Sequence, residues 1–129
     1  MQLADTSWLV GLVQQADPHH AQAVQLLDQV RALGHGPVVV TEAAALETFQ
    51  VLESLYGTPR SSSALAVSSL FRSDDFAPDP IVEAALHVVA ENPRFGFVDA
   101  LLLARSRTTG DGVLTFDLSL QRALASGTP

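Results

Sequence analysis

The chain has 129 residues, with seven arginines, no lysine, fourteen acidic residues and a formal net charge of −7. It has no cysteine, which excludes disulfides and thiolate metal sites, and its acidic balance argues against a broad basic surface for nucleic acid. Hydrophobic residues make up 47% of the sequence, which predicts one globular domain over residues 1–129. The sequence has no signal-peptide pattern and no run near the roughly 20 apolar residues of a membrane span, so we expect a cytoplasmic protein.

The first half of the chain predicts two strands that alternate with three helices. An uninterrupted β-branched run marks the clearer strand, while cap and glycine signals bound the helices. In chain order the elements are a strand ending at Leu3–Asp5, a helix over residues 6–13, a helix from Asp17–Pro18 to Gly34, a strand over Pro37–Val40 and a helix from Thr41 to about Tyr56.

The second half continues the alternation. Its elements are a helix over Ala64–Phe71, an irregular stretch over residues 72–78 with room for a short strand, a helix over Ile81–Glu91 capped by Asp79, an apolar helix from Phe97 to near Gly110, a strand over Val113–Phe116 and a helix over Leu118–Leu124. This order predicts an α/β fold with three α/β/α layers and a central parallel sheet of four to five strands. Right-handed crossovers then bring the carboxyl ends of the strands to one edge.

Four carboxylates fall at that edge of the predicted sheet. Asp5 and Asp117 directly follow strands, Asp99 lies in the first turn of a helix, and Glu47 lies on the helix that follows a strand. Each acid alone has a local explanation, because aspartates commonly cap helices. Together they predict a site for a divalent cation, since Mg²⁺ prefers hard oxygen ligands.

Other titratable residues are less suited to that site. On a helical wheel Glu42 and Glu53 fall together on a predicted solvated face, whereas Glu47 lies at the edge of the buried stripe. His19 and His20 are adjacent on a helix and face different directions, so we expect them to be solvated residues at a helix start.

The four acids also lie in motifs that resemble a known family. The motifs are Leu-Ala-Asp5-Thr-Ser, Val-Val-Thr-Glu-Ala-Ala-Ala-Leu-Glu47, Phe-Val-Asp99-Ala-Leu-Leu-Leu-Ala and Leu-Thr-Phe-Asp117. In order and spacing they resemble the PIN-domain nucleases, and most closely the VapC-type toxins of bacterial toxin–antitoxin pairs. The resemblance implies a PIN-like sheet flanked by helices, a carboxylate site for Mg²⁺ or Mn²⁺, and metal-dependent cleavage of RNA.

The resemblance also implies roles for particular residues and partners. Asp5 and Asp99 would be the principal metal ligands, Glu47 and Asp117 would bind a second ion or metal-bound waters, and hydroxyls of Thr6, Ser7 and Thr115 are candidate supporting groups. The expected partners are an RNA substrate, a cognate antitoxin that often places a basic side chain near the acids, and a second copy in a homodimer. The arginines do not indicate which RNA is cut; Arg60, Arg72, Arg94 and Arg105 are each either a phosphate contact or a solvated surface residue.

Two other function classes compete with the ribonuclease. One is a non-catalytic module that keeps the fold and binds a partner protein, which suits the acidic, lysine-free chain. The other is a phosphatase or phosphoacceptor domain on a similar scaffold. A haloacid-dehalogenase type would need a second Asp two residues after Asp5, where Ser7 stands, and a response-receiver type would need a lysine.

Overall fold

The computed structural model describes residues 1–126, which form seven helices and two short strands. The helices are α1 (Thr6–Val13), α2 (His20–Leu33), α3 (Glu42–Ser54), α4 (Arg60–Leu70), α5 (Pro80–Glu91), α6 (Phe97–Thr109) and α7 (Leu118–Ser126). The strands are β1 (Gln2–Leu3) and β2 (Val38–Val39). Within this part of the chain, no helix is long and apolar enough to cross a membrane.

Strand β2 lies in the middle of the sheet and is hydrogen-bonded along both edges. On one edge β1 pairs with it in parallel, and the Ala4 N–H donates to the Val39 carbonyl at 3.0 Å. On the other edge the Val38 N–H donates to the Asp75 carbonyl at 2.7 Å, and the Val38 carbonyl accepts from the Ala77 N–H at 2.8 Å. The irregular stretch after α4 therefore joins the sheet through a parallel bridge at Phe76 rather than as a full strand.

The segment Val113–Phe116, predicted as the last strand, lies outside any strand and pairs with none. Val113 and Thr115 are partly buried, whereas Leu114 and Phe116 are each 103% exposed. This two-residue alternation is typical of a strand, but no described strand lies beside it. Residues 1–126 thus contain two strands and one bridge, and the sheet of four to five strands stays a prediction.

Helix starts were predicted correctly where a side chain caps the helix. Asp79 accepts from the Val82 N–H at 3.2 Å and Pro80 is the first residue of α5, as predicted. Helix α4 begins at Arg60, four residues before the predicted start at Ala64. The serines that suggested a turn belong to the helix, and the buried Ser63 hydroxyl donates to the Thr58 carbonyl. Helix α2 begins at His20, two residues after the predicted Pro18.

The hydrophobic core is centred on α5, which packs between α4 and α6. Helix α6 was predicted to be covered on most sides. Leu101 and Leu103 are buried as expected, but Leu102 is 38% exposed. Gly110 ends α6 at φ +79°, a left-handed conformation that glycine adopts without the steric cost of a Cβ.

A polar clamp ties α2 to the stretch that bridges to β2. The Arg31 guanidinium donates to Asp75 through Nε at 2.9 Å and Nη2 at 2.6 Å. This contact, followed by the hydrogen bond from Ser73, holds the pKa of Asp75 below its usual value. Because Arg31 is 52% exposed, solvent screens the pair and limits its contribution to stability.

We expect Asp75→Asn to lower the free energy of unfolding at pH 7 by about 1 kcal/mol and the melting temperature by about 4 °C. The folded-state pKa is depressed, so the stabilisation is complete above the unfolded pKa of about 3.9 and is lost as pH falls through the lower folded value. The melting temperatures of wild type and variant should therefore converge below about pH 4. Asp28→Asn, which removes a 63%-exposed partner of the same arginine, is the control and should change little; equal effects of both changes at pH 7 would contradict the clamp.

Candidate functional site

Asp5 lies between β1 and α1 and caps the helix. Its Oδ2 accepts from the Ser7 N–H at 3.1 Å and from the Ser7 hydroxyl at 2.6 Å. The Ser7 hydroxyl, followed by the Ser7 N–H, lowers the pKa of Asp5 below its usual value. The capping role is therefore real, and the exposed carboxylate still has lone pairs free for a further ligand.

The three glutamates of α3 are placed differently from the helical-wheel prediction, which was wrong for each. Glu42 and Glu53 were expected on a solvated face, but both are partly buried and ion-paired: Glu42 accepts from Arg105 at 2.7 Å and Glu53 from Arg60 at 3.2 Å. Glu47, expected beside the buried stripe, is exposed and makes no hydrogen bond within residues 1–126. The wheel failed because it assigned the solvated face from sequence alone, and long-range partners from α4 and α6 decide it.

Asp99 is the third residue of α6 and is partly buried. The residue that caps α6 is Gly96, which has no side chain for the role, so the capping explanation of Asp99 does not hold. Among residues 1–126 no hydrogen-bond or ion-pair partner of this carboxylate is found. Partial burial without a partner distinguishes Asp99 from Glu47, which is exposed, and from Asp5 and Asp117, which cap helices.

Glu47 lies on α3 and Asp99 on α6, and these two helices contact each other. Helices α3 and α6 contact each other through the Glu42–Arg105 ion pair near one end, and through the Phe49 and Phe97 rings, 5.3 Å apart and edge-to-face, near the other. Each acid lies two residues from one of the rings, which is about 200° around a helix. Both carboxylates therefore lie away from the ring contact, and neither is drawn into the interface.

Asp117 caps α7, accepting from the Leu120 N–H at 2.8 Å. Thr115, a candidate supporting hydroxyl, accepts from the Asp117 N–H at 3.0 Å through its Oγ1. Asp117 is exposed and directly follows the segment Val113–Phe116 that pairs with no strand. Its position thus depends on where that segment lies.

The four predicted acids do not form a compact cluster. Within residues 1–126 no group of three or more Asp, Glu or His side chains lies close enough to hold a metal ion. The donor type suits Mg²⁺, but the arrangement in this structure does not fit it. The histidines form no alternative site, since the His20 Nδ1 contacts the Gly11 carbonyl at 2.7 Å and His19 lies 3.7 Å from Asp17.

A cavity of about 280 Å³ lies between the loop before α6 and the start of α7. Its lining residues are Asn92, Arg94, Phe95, Ser119 and Arg122. Arg94 was among the candidate phosphate contacts, but Arg122 was missed. No local signal in the sequence indicates that α7 packs beside this loop, so the pairing of the two arginines could be found only from the structure.

The comparisons with known proteins identify the family. The model of the PIN domain matches residues 3–124, a range that contains all four predicted acids. Among curated proteins and among solved structures, no match was found. Because the family model covers nearly the whole chain, the chain belongs to the PIN domain family.

Proposed function

We propose that this protein is a metal-dependent endoribonuclease that acts as the toxin of a type II toxin–antitoxin pair, of the VapC type. Membership of the PIN domain family indicates nuclease-type activity in general. The single observation that supports the finer proposal is that the matched range contains four acids whose order and spacing resemble those of the toxin motifs. A divalent cation, Mg²⁺ or Mn²⁺, is the cofactor that such a donor set would take.

The proposal requires at least three of the acids to share a metal ion, and no such group is found among residues 1–126. Asp117 follows the unpaired segment Val113–Phe116, so moving that segment would move Asp117 as well. Leu114 and Phe116 are fully exposed, and burying each would stabilise the protein by about 1.5–3 kcal/mol. We therefore propose that the segment adds to the sheet as a further strand.

The free edge of β1 is where such a strand can pair. The N–H groups of Gln2 and Ala4 already donate to β2, at the carbonyls of Pro37 and Val39. Because alternate residues of a strand present their backbone groups to opposite edges, those of Leu3 face away from β2. Within residues 1–126, β1 pairs with no strand other than β2, and Leu3 is 79% exposed.

Pairing at this edge would bring Asp117 beside Asp5, since each directly follows its strand. Two carboxylates brought together repel each other, and a divalent cation relieves that repulsion. The proposed closure is therefore favoured by the cation.

The partner proposals follow from the toxin assignment. We propose RNA as substrate, a cognate antitoxin that neutralises the toxin, and a homodimer as the assembled state in the cytoplasm. The second candidate function is a non-catalytic PIN-fold module that binds a partner protein. The exposed apolar side chains of Leu114, Phe116 and Leu118 favour it.

Asp5→Asn and Asp99→Asn should each reduce the rate of RNA cleavage in Mg²⁺ by about 10²–10³-fold, because each removes a negative charge from the proposed site. Chelation of the metal should abolish the wild-type reaction. The measurement is cleavage of total RNA by purified protein, with Asp28→Asn as a control that makes the same charge change on an exposed helix face. Wild-type rates in both site variants, or no cleavage by wild type together with partner binding, would favour the non-catalytic module.

The variants Glu47→Gln and Glu42→Gln test which of the two glutamates on α3 belongs to the proposed site. We expect Glu47→Gln to lose cleavage activity with little change in melting temperature, because Glu47 is exposed and has no partner among residues 1–126. Glu42→Gln should keep its activity and weaken only the ion pair with Arg105. The opposite result in a paired assay of cleavage and thermal melting would assign the site to Glu42.

The closure can be tested by cross-linking, because the natural chain has no cysteine. Aligning Asp5 with Asp117 places Leu3 opposite Thr115, and neighbouring strands lie about 4.8 Å apart, within the Cα separation of a disulfide. We expect Leu3→Cys/Thr115→Cys to form an intrachain disulfide faster in Mg²⁺ than in chelator, measured on non-reducing gels. The two single variants report disulfides between chains; no intrachain product in either condition would refute the closure.

A further inference from the structure

This acidic protein has seven arginines, and Arg31, Arg60 and Arg105 pair with carboxylates. Arg94 is different, because its only partner among residues 1–126 is the Asn92 Oδ1, at 3.4 Å. Arg122 makes no hydrogen bond or ion pair within the same range. In a chain with twice as many acids as arginines, a guanidinium without a carboxylate partner stands out.

Both of these arginines line one cavity, the space of about 280 Å³ between the loop before α6 and the start of α7. Asn92 and Ser119 add an amide and a hydroxyl, and none of the lining residues is acidic. Two guanidinium groups that face one space without a counterion repel each other, and each offers five N–H donors in a fork suited to phosphate. The cavity therefore has the charge and the donors of an anion site.

The cavity lies beside the segments that carry two of the motif acids. The loop that supplies Arg94 and Phe95 leads into α6, and Asp99 follows Phe95 by four residues. Arg122 lies on α7, about 7.5 Å along the helix axis from the capping Asp117. An anion in the cavity would thus lie within one or two helix turns of both acids along the chain.

We infer that Arg94 and Arg122 bind a backbone phosphate of the RNA, holding the strand next to the acids. The inference rests on the proposed ribonuclease function and deepens it, because it names the residues that bind substrate in a protein of net charge −7. Phe95 favours RNA over an acidic peptide, since it supplies an aromatic wall in the same cavity. Aromatic rings next to arginines are typical of sites that bind single-stranded nucleic acid, where bases stack and phosphates pair with guanidinium groups.

The test measures binding of a fluorescent, unstructured RNA oligonucleotide by anisotropy in chelator, where no metal-dependent cleavage occurs. Arg94→Gln and Arg122→Gln should each weaken binding about tenfold, because each removes a charge-assisted contact to phosphate. The slope of log K against log salt should fall by about 0.7 for each lost contact to a single strand. Arg72→Gln is the matched control, since Arg72 is exposed on the turn after α4 and the charge change is the same. Circular dichroism and melting curves verify that each variant is folded.

An equal loss of affinity in all three variants would indicate diffuse electrostatics and overturn the inference, as would unchanged binding in the two cavity variants or no RNA binding by wild type. Loss of binding to an acidic partner chain, with RNA binding unchanged, would assign the cavity to a protein ligand and also overturn it. If the cavity variants alone lose RNA binding but wild type cleaves nothing in Mg²⁺, the ribonuclease proposal fails while the phosphate site stands. If wild type cleaves RNA and the cavity variants bind and cleave equally well, only this inference fails.

Discussion

The hydrogen bonding of β2 along both edges is the interaction on which the rest of the fold depends. It joins the N-terminal strand to the stretch at Phe76, two parts of the chain that are far apart in sequence. Val38 at this junction is 2% exposed, and the Arg31–Asp75 clamp reinforces the same place from α2. The helices that follow each of these segments are oriented by this short sheet, so the positions of Asp5 and the start of α3 depend on it.

Local signals in the sequence were sufficient for most helices and for both strands. A few neighbouring residues determine where these helices begin or end. Asp79 with Pro80 marks the start of α5, and Gly34 and Gly110 mark the ends of α2 and α6, in agreement with the structure. The start of α4 was missed because serine suits both a turn and a helix start, and only burial of Ser63 against Thr58 decides between them. The number of strands in the sheet could not be predicted from the sequence, because the alternating pattern of Val113–Phe116 does not determine whether this segment pairs with a strand.

In the candidate site, too, local features were predicted from the sequence and features that depend on long-range packing were not. The motif acids were identified from their positions after strands and at helix starts, which are local features. Whether a given glutamate is solvated was not predictable, because Glu42 and Glu53 find arginines on α6 and α4. The cavity of Arg94 and Arg122 depends on α7 packing beside a loop more than twenty residues earlier. The partners of the charged side chains in this protein are therefore determined by long-range packing.

Within residues 1–126 one edge of β1 pairs with no strand, and Leu114 and Phe116 are fully exposed, which has a consequence for the protein at high concentration. An uncovered strand edge is a template for pairing with any other extended chain, and an apolar strand pattern without a partner is such a chain. At high concentration the segment Val113–Phe116 of one molecule can pair with the β1 edge of a second molecule. A third molecule can then add in the same way, because head-to-tail pairing need not form a closed ring. Aggregation during purification would then arise from an unfinished sheet rather than from global unfolding.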